Sequence, residues 1–369
     1  MYTSDYNKNS LKIQDTNIGT NINIYRELDT DGEVLTDCKE DGKQRPWKEK
    51  KLKSLDLSDS YFRLGLDNKA IRCHQCCNYL EFKVFKDGTK KLNKANTCKL
   101  RLCSICNWRR ELKIFTQVSK VVECLQQNNK YRFLFLTLTC KNIYVQELKN
   151  QLDLLFKSYD RLFKRKDVSK SIKGWFRALE ITHDVHKRIT KKMYLNKKSY
   201  YDNLGLGIGS KNPNFNMYHP HYHVLLMVNK SYFSHKDYYI TQKKWTSLWQ
   251  ESMKVDYTPI VDIRPFKANS NKSICEVAKY TVKDNDYLVK KDKDLTDKTV
   301  LILDSALQYR RLVAFGGLMK KTHKELNLTK IDDDSDLVHI AEDERVCDEL
   351  NYIIESYSWN IGYSNYIKL

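Results

Sequence analysis

The stretch His219-Pro-His-Tyr-His223 holds the residue types best suited to chemistry in this 369-residue chain. It leads directly into an apolar run, 224–228, of strand character. Alternate side chains of a strand share a face, so His219, His221 and His223 point to one side and Tyr222 to the other. Several imidazoles on one face of a buried strand are costly unless something binds them. A metal ion is the simplest partner; hydrogen-bonded histidines near a strand start are the alternative.

A carboxylate that could complete such a site lies in the stretch 177–182, a predicted strand that can pair antiparallel with 219–228. Glu180 alternates with apolar Leu179 and Ile181, so it projects from the face opposite to theirs. We expect Glu180 to be the third ligand, with positions left open for water and substrate; the alternative is a solvent-facing strand glutamate. Imidazole and carboxylate suit Mg or Mn with phosphate oxygens, although zinc also fits.

A second reactive group lies in the segment 276–283, which follows a polar loop and is predicted to be helical. Residues four apart are neighbours on a helix, so Glu276 lies beside Tyr280, and Lys283 is near. These groups could form a nucleophilic site or a solvated helix face. A phenol has a pKa near 10, so a tyrosine nucleophile needs a metal that stabilises charge on the phosphoryl oxygens. Lys283 could favour the phenolate, and Tyr287 on the same face is the second choice as nucleophile.

Two Cys-x2-Cys knuckles, separated by 26 residues, predict a structural zinc site. The preferred ligands are Cys73, Cys76, Cys103 and Cys106, and Cys98 competes for a place. Reduced thiols in a cytosolic core are the alternative. Disulfides are not expected in a reducing compartment.

Positive charge dominates the composition, with 65 Lys and Arg against 46 Asp and Glu and a net charge of +19. Such a surplus indicates a polyanionic partner, and nucleic acid fits best. Arg101, Arg109 and Arg110 flank the second knuckle and are predicted to contact DNA phosphates.

A membrane partner is not expected, because no strongly amphipathic basic helix is visible. The chain has no apparent signal peptide and no apolar run of transmembrane length, so we expect a cytoplasmic protein of bacterial origin.

Three ordered motifs resemble the HUH endonucleases, in particular the rolling-circle replication initiators of small Gram-positive plasmids. The strand 133–139 resembles the first motif, His221 and His223 the second, and the segment 276–283 the third. The cysteine block and the segment 309–317 are also similar to that family. The tyrosine follows the histidine pair, as in replication initiators and some transposases. Glu276, at the place of the first tyrosine of two-tyrosine relatives, indicates the single-tyrosine plasmid group.

The resemblance implies an α+β fold with a central antiparallel sheet, the His strand in its middle, flanking helices, a small zinc module and a helical C-terminal region. The family resemblance also places a glycine where this chain has Cys77. The predicted segments are a flexible N-terminal arm (1–65), the zinc module (66–112), the nuclease domain (113–292) and the C-terminal helical region (293–369), with helices over 300–325 and 346–360.

The implied function is to bind the double-strand origin of a plasmid and nick one strand at an exposed hairpin. Tyr280 attacks and stays linked to the 5′ phosphate, the free 3′ hydroxyl primes synthesis, and Glu276 activates water for a second, terminating cleavage. Origin DNA, a host helicase and a DNA polymerase are the implied partners. The alternatives are an HUH transposase and a non-catalytic, zinc-containing DNA-binding regulator.

Overall fold

The computed structural model describes residues 32–39, 41–127, 129–266, 274, 282–289, 291–340 and 351–369. The α-helices are α1 (Trp47–Arg63), α2 (Asp67–Gln75), α3 (Ser104–Gln127), α4 (Leu148–Lys164), α5 (Lys166–Ser171), α6 (Lys191–Asn196), α7 (Lys198–Asn203), α8 (Gln242–Met253), α9 (Lys293–Leu307) and α10 (Gly317–Glu325). The strands are β1 (Tyr79–Phe85), β2 (Lys90–Ala95), β3 (Tyr131–Thr139), β4 (Ile172–His183), β5 (Tyr218–Asn229), β6 (Val261–Pro265), β7 (Val313–Gly316), β8 (Tyr352–Asn360) and β9 (Asn365–Lys368).

The larger sheet has the strand order β6-β3-β5-β4-β7, and every neighbouring pair is antiparallel. The His strand β5 is therefore central, as the resemblance predicts. Its residues from Val224 to Val228 are fully buried, because both faces of a central strand are covered. Tyr222 packs edge-on against Phe156 and Tyr159 of α4, so the histidines face the other side. The prediction of an α+β protein with an antiparallel sheet is confirmed.

Two glycines let β7 and α10 pack closely on β4, the strand that holds Glu180. A Cβ atom on Gly316 would lie 2.1 Å from the Trp175 ring. Gly317 has φ +57°, and its Cβ would lie 2.5 Å from the Lys173 carbonyl oxygen. Both positions therefore require glycine, for close approach and for a left-handed backbone respectively.

The smaller sheet, of order β2-β1-β8-β9, joins the cysteine module to the end of the chain. The prediction of a helix over 346–360 is wrong where the structure describes it, since β8 begins at Tyr352. That strand is rich in β-branched and aromatic residues, which favour pairing in a sheet. The C-terminal segment 293–369 is also not purely helical: α9 and α10 are helices as predicted, but β7 extends the larger sheet and β8 and β9 extend the smaller one.

The predicted flexible arm contains a buried helix, so this prediction is wrong for its described part, 32–65 apart from residue 40. In α1, the buried positions recur at heptad-like spacing from Trp47 through Lys51, Ser54 and Ser58 to Tyr61. Polar residues at three of these positions conceal the periodicity that identifies a core-facing helix. The ring of Trp47 packs edge-on against Trp108 of α3 with centroids 4.7 Å apart.

No helix within the described residues combines the length and the apolar character needed to cross a membrane.

Candidate metal centres and active site

The register of β4 and β5 brings the predicted carboxylate to the predicted imidazoles. Glu180 is paired with His221 and Ala178 with His223, so all three ligand side chains project from one face. Glu180 Oε2 lies 2.7 Å from His223 Nε2 and 3.4 Å from His221 Nε2. The ligand atoms of the three residues lie within 4.8 Å of one another, and all three residues are buried. The sequence therefore predicted this cluster from strand alternation alone.

The hydrogen bond of the His221 imidazole favours a cation among these groups. His221 Nδ1 is 3.0 Å from the carbonyl oxygen of His219, which can only accept, so Nδ1 carries the proton. In the neutral ring Nε2 is then an acceptor facing the Glu180 carboxylate, and two acceptors repel unless a cation or proton lies between them. This arrangement, with the second ring nitrogen fixed by a backbone carbonyl, is typical of metal-binding histidine. His223 Nδ1 is buried and has no hydrogen-bond partner in the structure.

Glu180 is held as a carboxylate although it is nearly enclosed. Burial would raise the pKa of this carboxyl group, but its contacts with His221, His223 and Lys283 outweigh burial and hold that pKa well below its usual range. Lys283 Nζ lies 2.8 Å from Glu180 Oε1, while Oε2 faces the imidazoles. Lys283 therefore contacts the carboxylate that the two histidines share, and its role in favouring the Tyr280 phenolate stays a prediction.

His219 lies beside the cluster rather than in it, because the described residues whose ligand atoms lie within 4.8 Å of one another are Glu180, His221 and His223. Its ring stacks on that of His221 with centroids 5.0 Å apart. Burial, then the charges of His221 and Lys197, lower the pKa of His219 to about 4. His219 is therefore neutral at physiological pH, and its carbonyl oxygen, not its ring, orients a ligand.

Asp286 is a carboxyl group near the site that the sequence analysis missed. Burial raises its pKa to about 7, and the charge of Glu180 adds to this effect while Lys283 opposes it. Its Oδ2 is buried and has no hydrogen-bond partner in the structure. Its backbone oxygen lies 2.9 Å from His183 Nδ1 at the end of β4. The only sequence signal was its place three residues after Lys283.

The predicted nucleophile Tyr280 and its neighbour Glu276 lie outside the described residues. Tyr287, the second choice, is fully buried, and its hydroxyl donates a hydrogen bond to the Leu102 carbonyl, with Asp284 Oδ1 3.1 Å away. Burial raises its pKa well above the ordinary range. Tyr287 is thus suited to anchor the segment that follows the predicted nucleophile to the cysteine module, and it is unsuited to attack a phosphate.

The cysteine cluster consists of Cys76, Cys98, Cys103 and Cys106, whose sulfur atoms all lie within 4.8 Å of one another. Cys98, which competed for a place, thus replaces the preferred Cys73. Cys73 lies next to this group, since its thiol contacts the Cys98 and Cys103 side chains as well as the backbone oxygen of Ser54 at 3.2 Å. The knuckle spacing located both pairs but could not rank a fifth cysteine.

The spacing of these sulfurs fits a tetrahedral zinc ion. The distances from Cys76 to Cys106, from Cys98 to Cys106 and from Cys76 to Cys103 are 3.7, 3.7 and 3.6 Å. Four ligands about 2.3 Å from a tetrahedral zinc stand about 3.8 Å apart, whereas a disulfide needs about 2.05 Å. Backbone N–H groups of Cys98 and Lys99 donate to Cys76 and Cys106 Sγ at 3.4 and 3.3 Å.

The first knuckle has a left-handed residue after it, since Cys77 has φ +52°. This conformation favours glycine, which explains why the resembling family pattern has glycine there.

Lys51 of α1 supplies a buried positive charge beside the cluster. Its ammonium donates to the carbonyl oxygens of His74 and Cys76 at 2.7 and 2.8 Å and to Asn78 Oδ1 at 2.6 Å. Burial lowers its pKa, and the nearby thiols oppose that shift. Four thiolates around a divalent ion carry net negative charge, which a buried ammonium offsets. No sequence signal marked this lysine.

The structure corrects the predicted DNA contacts of Arg109 and Arg110, because both are nearly fully buried. The Arg109 guanidinium donates to the carbonyl oxygens of Leu337 and Val338 at 2.9 and 2.8 Å. Arg110 pairs with Asp334 at 2.7 Å. These arginines hold an acidic segment against the module and do not face solvent. Arg101 is only half-buried, so its phosphate contact stays a prediction.

The comparisons with known proteins identify the family. Residues 89–367 match the model of the replication protein (Rep) family, so this chain belongs to that family. The recognition of a rolling-circle plasmid replication initiator is thereby confirmed.

Curated relatives match along nearly their whole length. A protein named Protein rep from Bacillus amyloliquefaciens is 36% identical over 92% of this chain and 98% of its own length. Another of that name from Streptococcus pneumoniae is 35% identical over 89% of this chain and 97% of its own. No solved structure matches at a significant level, so the assignment of the larger sheet to the HUH fold stays a prediction.

Proposed function

We propose that this replication initiator is a metal-dependent nickase that binds the double-strand origin of its plasmid and cleaves one strand. The observation that carries the proposal is the convergence of Glu180, His221 and His223 on one face of the central strand, with Glu180 Oε2 within 3.4 Å of both imidazoles. Three ligands of this kind leave room on an ion for phosphate oxygens and water. Plasmid replication needs one DNA strand to be cut at a defined position, and a metal site of this kind is suited to that cleavage.

The donor set fits a divalent ion, Mg or Mn. A bound ion would polarise the scissile phosphate and stabilise the charge that builds up on its oxygens. The protein's own contribution is orientation: the His219 carbonyl fixes one imidazole, and Lys283 holds the free oxygen of Glu180. Both contacts keep the three ligands in place before substrate arrives, which lowers the cost of assembling the site.

Tyr280 is the nucleophile in this proposal. Its phenolic oxygen bonds to the phosphorus while the bond from phosphorus to the 3′ oxygen breaks. The phenol loses its proton and the departing 3′ oxygen gains one, so a free 3′ hydroxyl and a 5′ phosphotyrosyl link result. Lys283 follows Tyr280 by three residues and lies at the ligand cluster, which supports a location of Tyr280 near the metal. The burial of Tyr287 removes its closest competitor.

Glu276 acts in termination in this proposal. It stands one helical turn before Tyr280 in the sequence and could orient a water for a second cleavage. A Glu276→Ala protein should nick nearly normally but fail to release finished single strands, which gives overlong products. Loss of the first nick as complete as in Tyr280→Phe would contradict this division of roles.

The cysteine cluster is proposed to hold a structural zinc, apart from the catalytic ion. Four buried sulfurs at tetrahedral spacing leave no open position for substrate. A host helicase and a DNA polymerase would act on the opened origin, with the free 3′ hydroxyl as primer.

The test uses supercoiled plasmid carrying the origin, with Mn or Mg, and analyses the product after denaturation. Wild-type protein should give a nicked circle with protein attached to the 5′ end. Tyr280→Phe should bind the origin and not nick, since only the hydroxyl is lost. Tyr309→Phe is the matched control, because Tyr309 is 94% exposed. Normal nicking by Tyr280→Phe would contradict the proposal, and origin binding without nicking by the wild type would favour a regulator.

A further inference from the structure

The connection between β4 and β5, residues 184–217, forms a lobe of its own, here called the β4–β5 lobe. It contains α6 and α7 and closes on itself, because Ile189 and Ser210 are joined through a backbone hydrogen bond of 2.9 Å. At its base, the backbone of Asp184 is bonded to Met217 and Asn216. The lobe is therefore an ordered part of the protein with a fixed root.

The surface of the lobe is basic. It contains seven Lys and Arg residues and only two acidic residues, Asp184 and Asp202. The exposed lysines of α6 and the following turn and helix are Lys191, Lys192, Lys197 and Lys198. Within the described part of the chain, no ion pair involves any of these four lysines, whereas Lys187 near the root of the lobe pairs with Asp292 at 2.9 Å. Unpaired ammonium groups at this density attract a polyanion.

Large apolar side chains are exposed among these lysines. Leu195 is 63% exposed, Tyr200 43%, Leu204 50% and Ile208 58%. A duplex offers such groups little to contact, because its bases are stacked inside. Unpaired bases, in contrast, stack on tyrosine and pack against apolar side chains. The combination of lysines with exposed apolar groups therefore fits single-stranded DNA better than duplex DNA.

The lobe stands beside the proposed active site. It connects the end of β4, three residues after Glu180, to the start of β5, three residues before His221. At ~3.3 Å per residue, its root is ~10 Å from the ligand cluster. Lys197 is close enough to His219 for its charge to act on that imidazole. A DNA strand bound on the lobe would therefore lie next to the proposed active site.

We propose that the β4–β5 lobe binds the single-stranded DNA that adjoins the scissile phosphate, with Lys191, Lys192, Lys197 and Lys198 on its phosphates and Tyr200 under a base. This inference rests on the proposed nicking function for its place in the reaction. The lobe holds the exposed strand in the direction of the metal ligands and leaves recognition of the origin duplex to other surfaces.

The test measures binding of a fluorescein-labelled oligothymidine by anisotropy across a salt series, without added divalent metal. The test variant changes Lys191, Lys192, Lys197 and Lys198 to Gln. The control variant changes four exposed lysines outside the lobe to Gln, so that the net charge falls by the same amount. These lysines are Lys243, Lys320, Lys324 and Lys330.

The test variant should lose up to ~3 from the slope of log affinity against log salt, since each phosphate contact contributes about 0.7 for single strands, and on the order of a hundredfold in affinity near 0.1 M salt. The control should lose a few-fold at most. Equal losses in both variants would overturn the proposal in favour of a general charge effect. Unchanged affinity of the test variant for oligothymidine, with weaker binding of a labelled duplex in the same assay, would overturn it as well.

A second pair of variants tests the stacking. Tyr200→Leu should weaken binding about tenfold and Tyr200→Phe should not, because the ring is what contacts the base. Tyr363→Leu, at another exposed tyrosine, is the control. Unchanged affinity in both lobe variants, with altered sedimentation of the protein, would mean that the lobe is a protein interface and would overturn the proposal. Because no cleavage is measured, the result stands apart from whether Tyr280→Phe abolishes nicking.

Discussion

The cysteine cluster and the Glu180–His221–His223 cluster are both groups of buried metal-type ligands, but they are enclosed to different degrees. Cys103 and Cys106 are fully buried, whereas His221 and His223 keep 8% and 7% of their surface exposed. Among the residues that the structure describes, the first cluster offers four sulfurs and the second three ligand atoms. Four soft ligands saturate a tetrahedral ion, while three leave positions open for substrate. Enclosure and ligand number together distinguish the proposed structural site from the proposed catalytic one.

The two regions are nevertheless joined by short contacts. Tyr287 donates to the carbonyl oxygen of Leu102, the residue before Cys103, and Ser104 Oγ donates to Asp284 Oδ2 at 2.8 Å. Asp284 also pairs with Lys50 of α1 at 3.0 Å. The cysteine module thus supports the segment that begins at Lys283, close to the metal ligands. A structural zinc would therefore influence nicking through geometry rather than chemistry.

The largest expected effect comes from removing one ligand of the Glu180–His221–His223 cluster. His223→Ala should lower metal-dependent nicking by at least about a hundredfold. Loss of a residue that merely hydrogen-bonds to a metal ligand already lowers metal affinity or activity by about 10- to 100-fold. Thermal unfolding and zinc content should change little. His235→Ala, on an exposed histidine of the connection after β5, is the control. Nicking within a few-fold of wild type would remove His223 from the catalytic site.

The next largest effect shows whether Cys98 or Cys73 is a ligand in the cysteine cluster. Cys98→Ser should lower zinc content from about one per chain toward zero and destabilise the module, because metal binding and folding are coupled. Cys73→Ser should retain the zinc, since Cys73 stands outside the group of four sulfurs that lie within 4.8 Å of one another. Zinc is measured by release to a chromogenic chelator, with exposed Cys38→Ser as control. The reverse result would restore the ligand set preferred from the sequence.

Acid should weaken the fold through His219. Its pKa is about 4 in the folded protein, below the ordinary value of 6.5, so the unfolded chain binds the proton more tightly. The free energy of unfolding should therefore be fully retained above pH 6.5 and fall as pH drops from 6.5 to 4, by about 1 kcal/mol for this partly exposed group. His219→Gln should flatten that part of the profile in urea titrations. An unchanged slope would show that the ring is not buried as described.

Elements with a regular hydrophobic pattern were predictable from the sequence, whereas a helix with polar residues on its buried face was not. The apolar strand β3 and the alternating histidines of β5 give the central sheet and its ligand face, because period-two patterns specify register. Helix α1 was missed because Lys51, Ser54 and Ser58 occupy its buried face. Strand β8 was missed because its partner β1 lies over 260 residues earlier in the chain. Arg109 and Arg110 look like surface charges in sequence, and only tertiary packing reveals their carbonyl partners.

X-ray absorption at the zinc and manganese edges of one sample tests the separation of the two clusters most directly. Protein purified with zinc and then equilibrated with Mn²⁺ should show zinc with four sulfur neighbours at about 2.3 Å. Manganese in the same sample should have only nitrogen and oxygen neighbours, imidazole among them. Zinc with nitrogen or oxygen neighbours, or manganese without an imidazole signal, would contradict the assignment of a closed structural site and an open catalytic one.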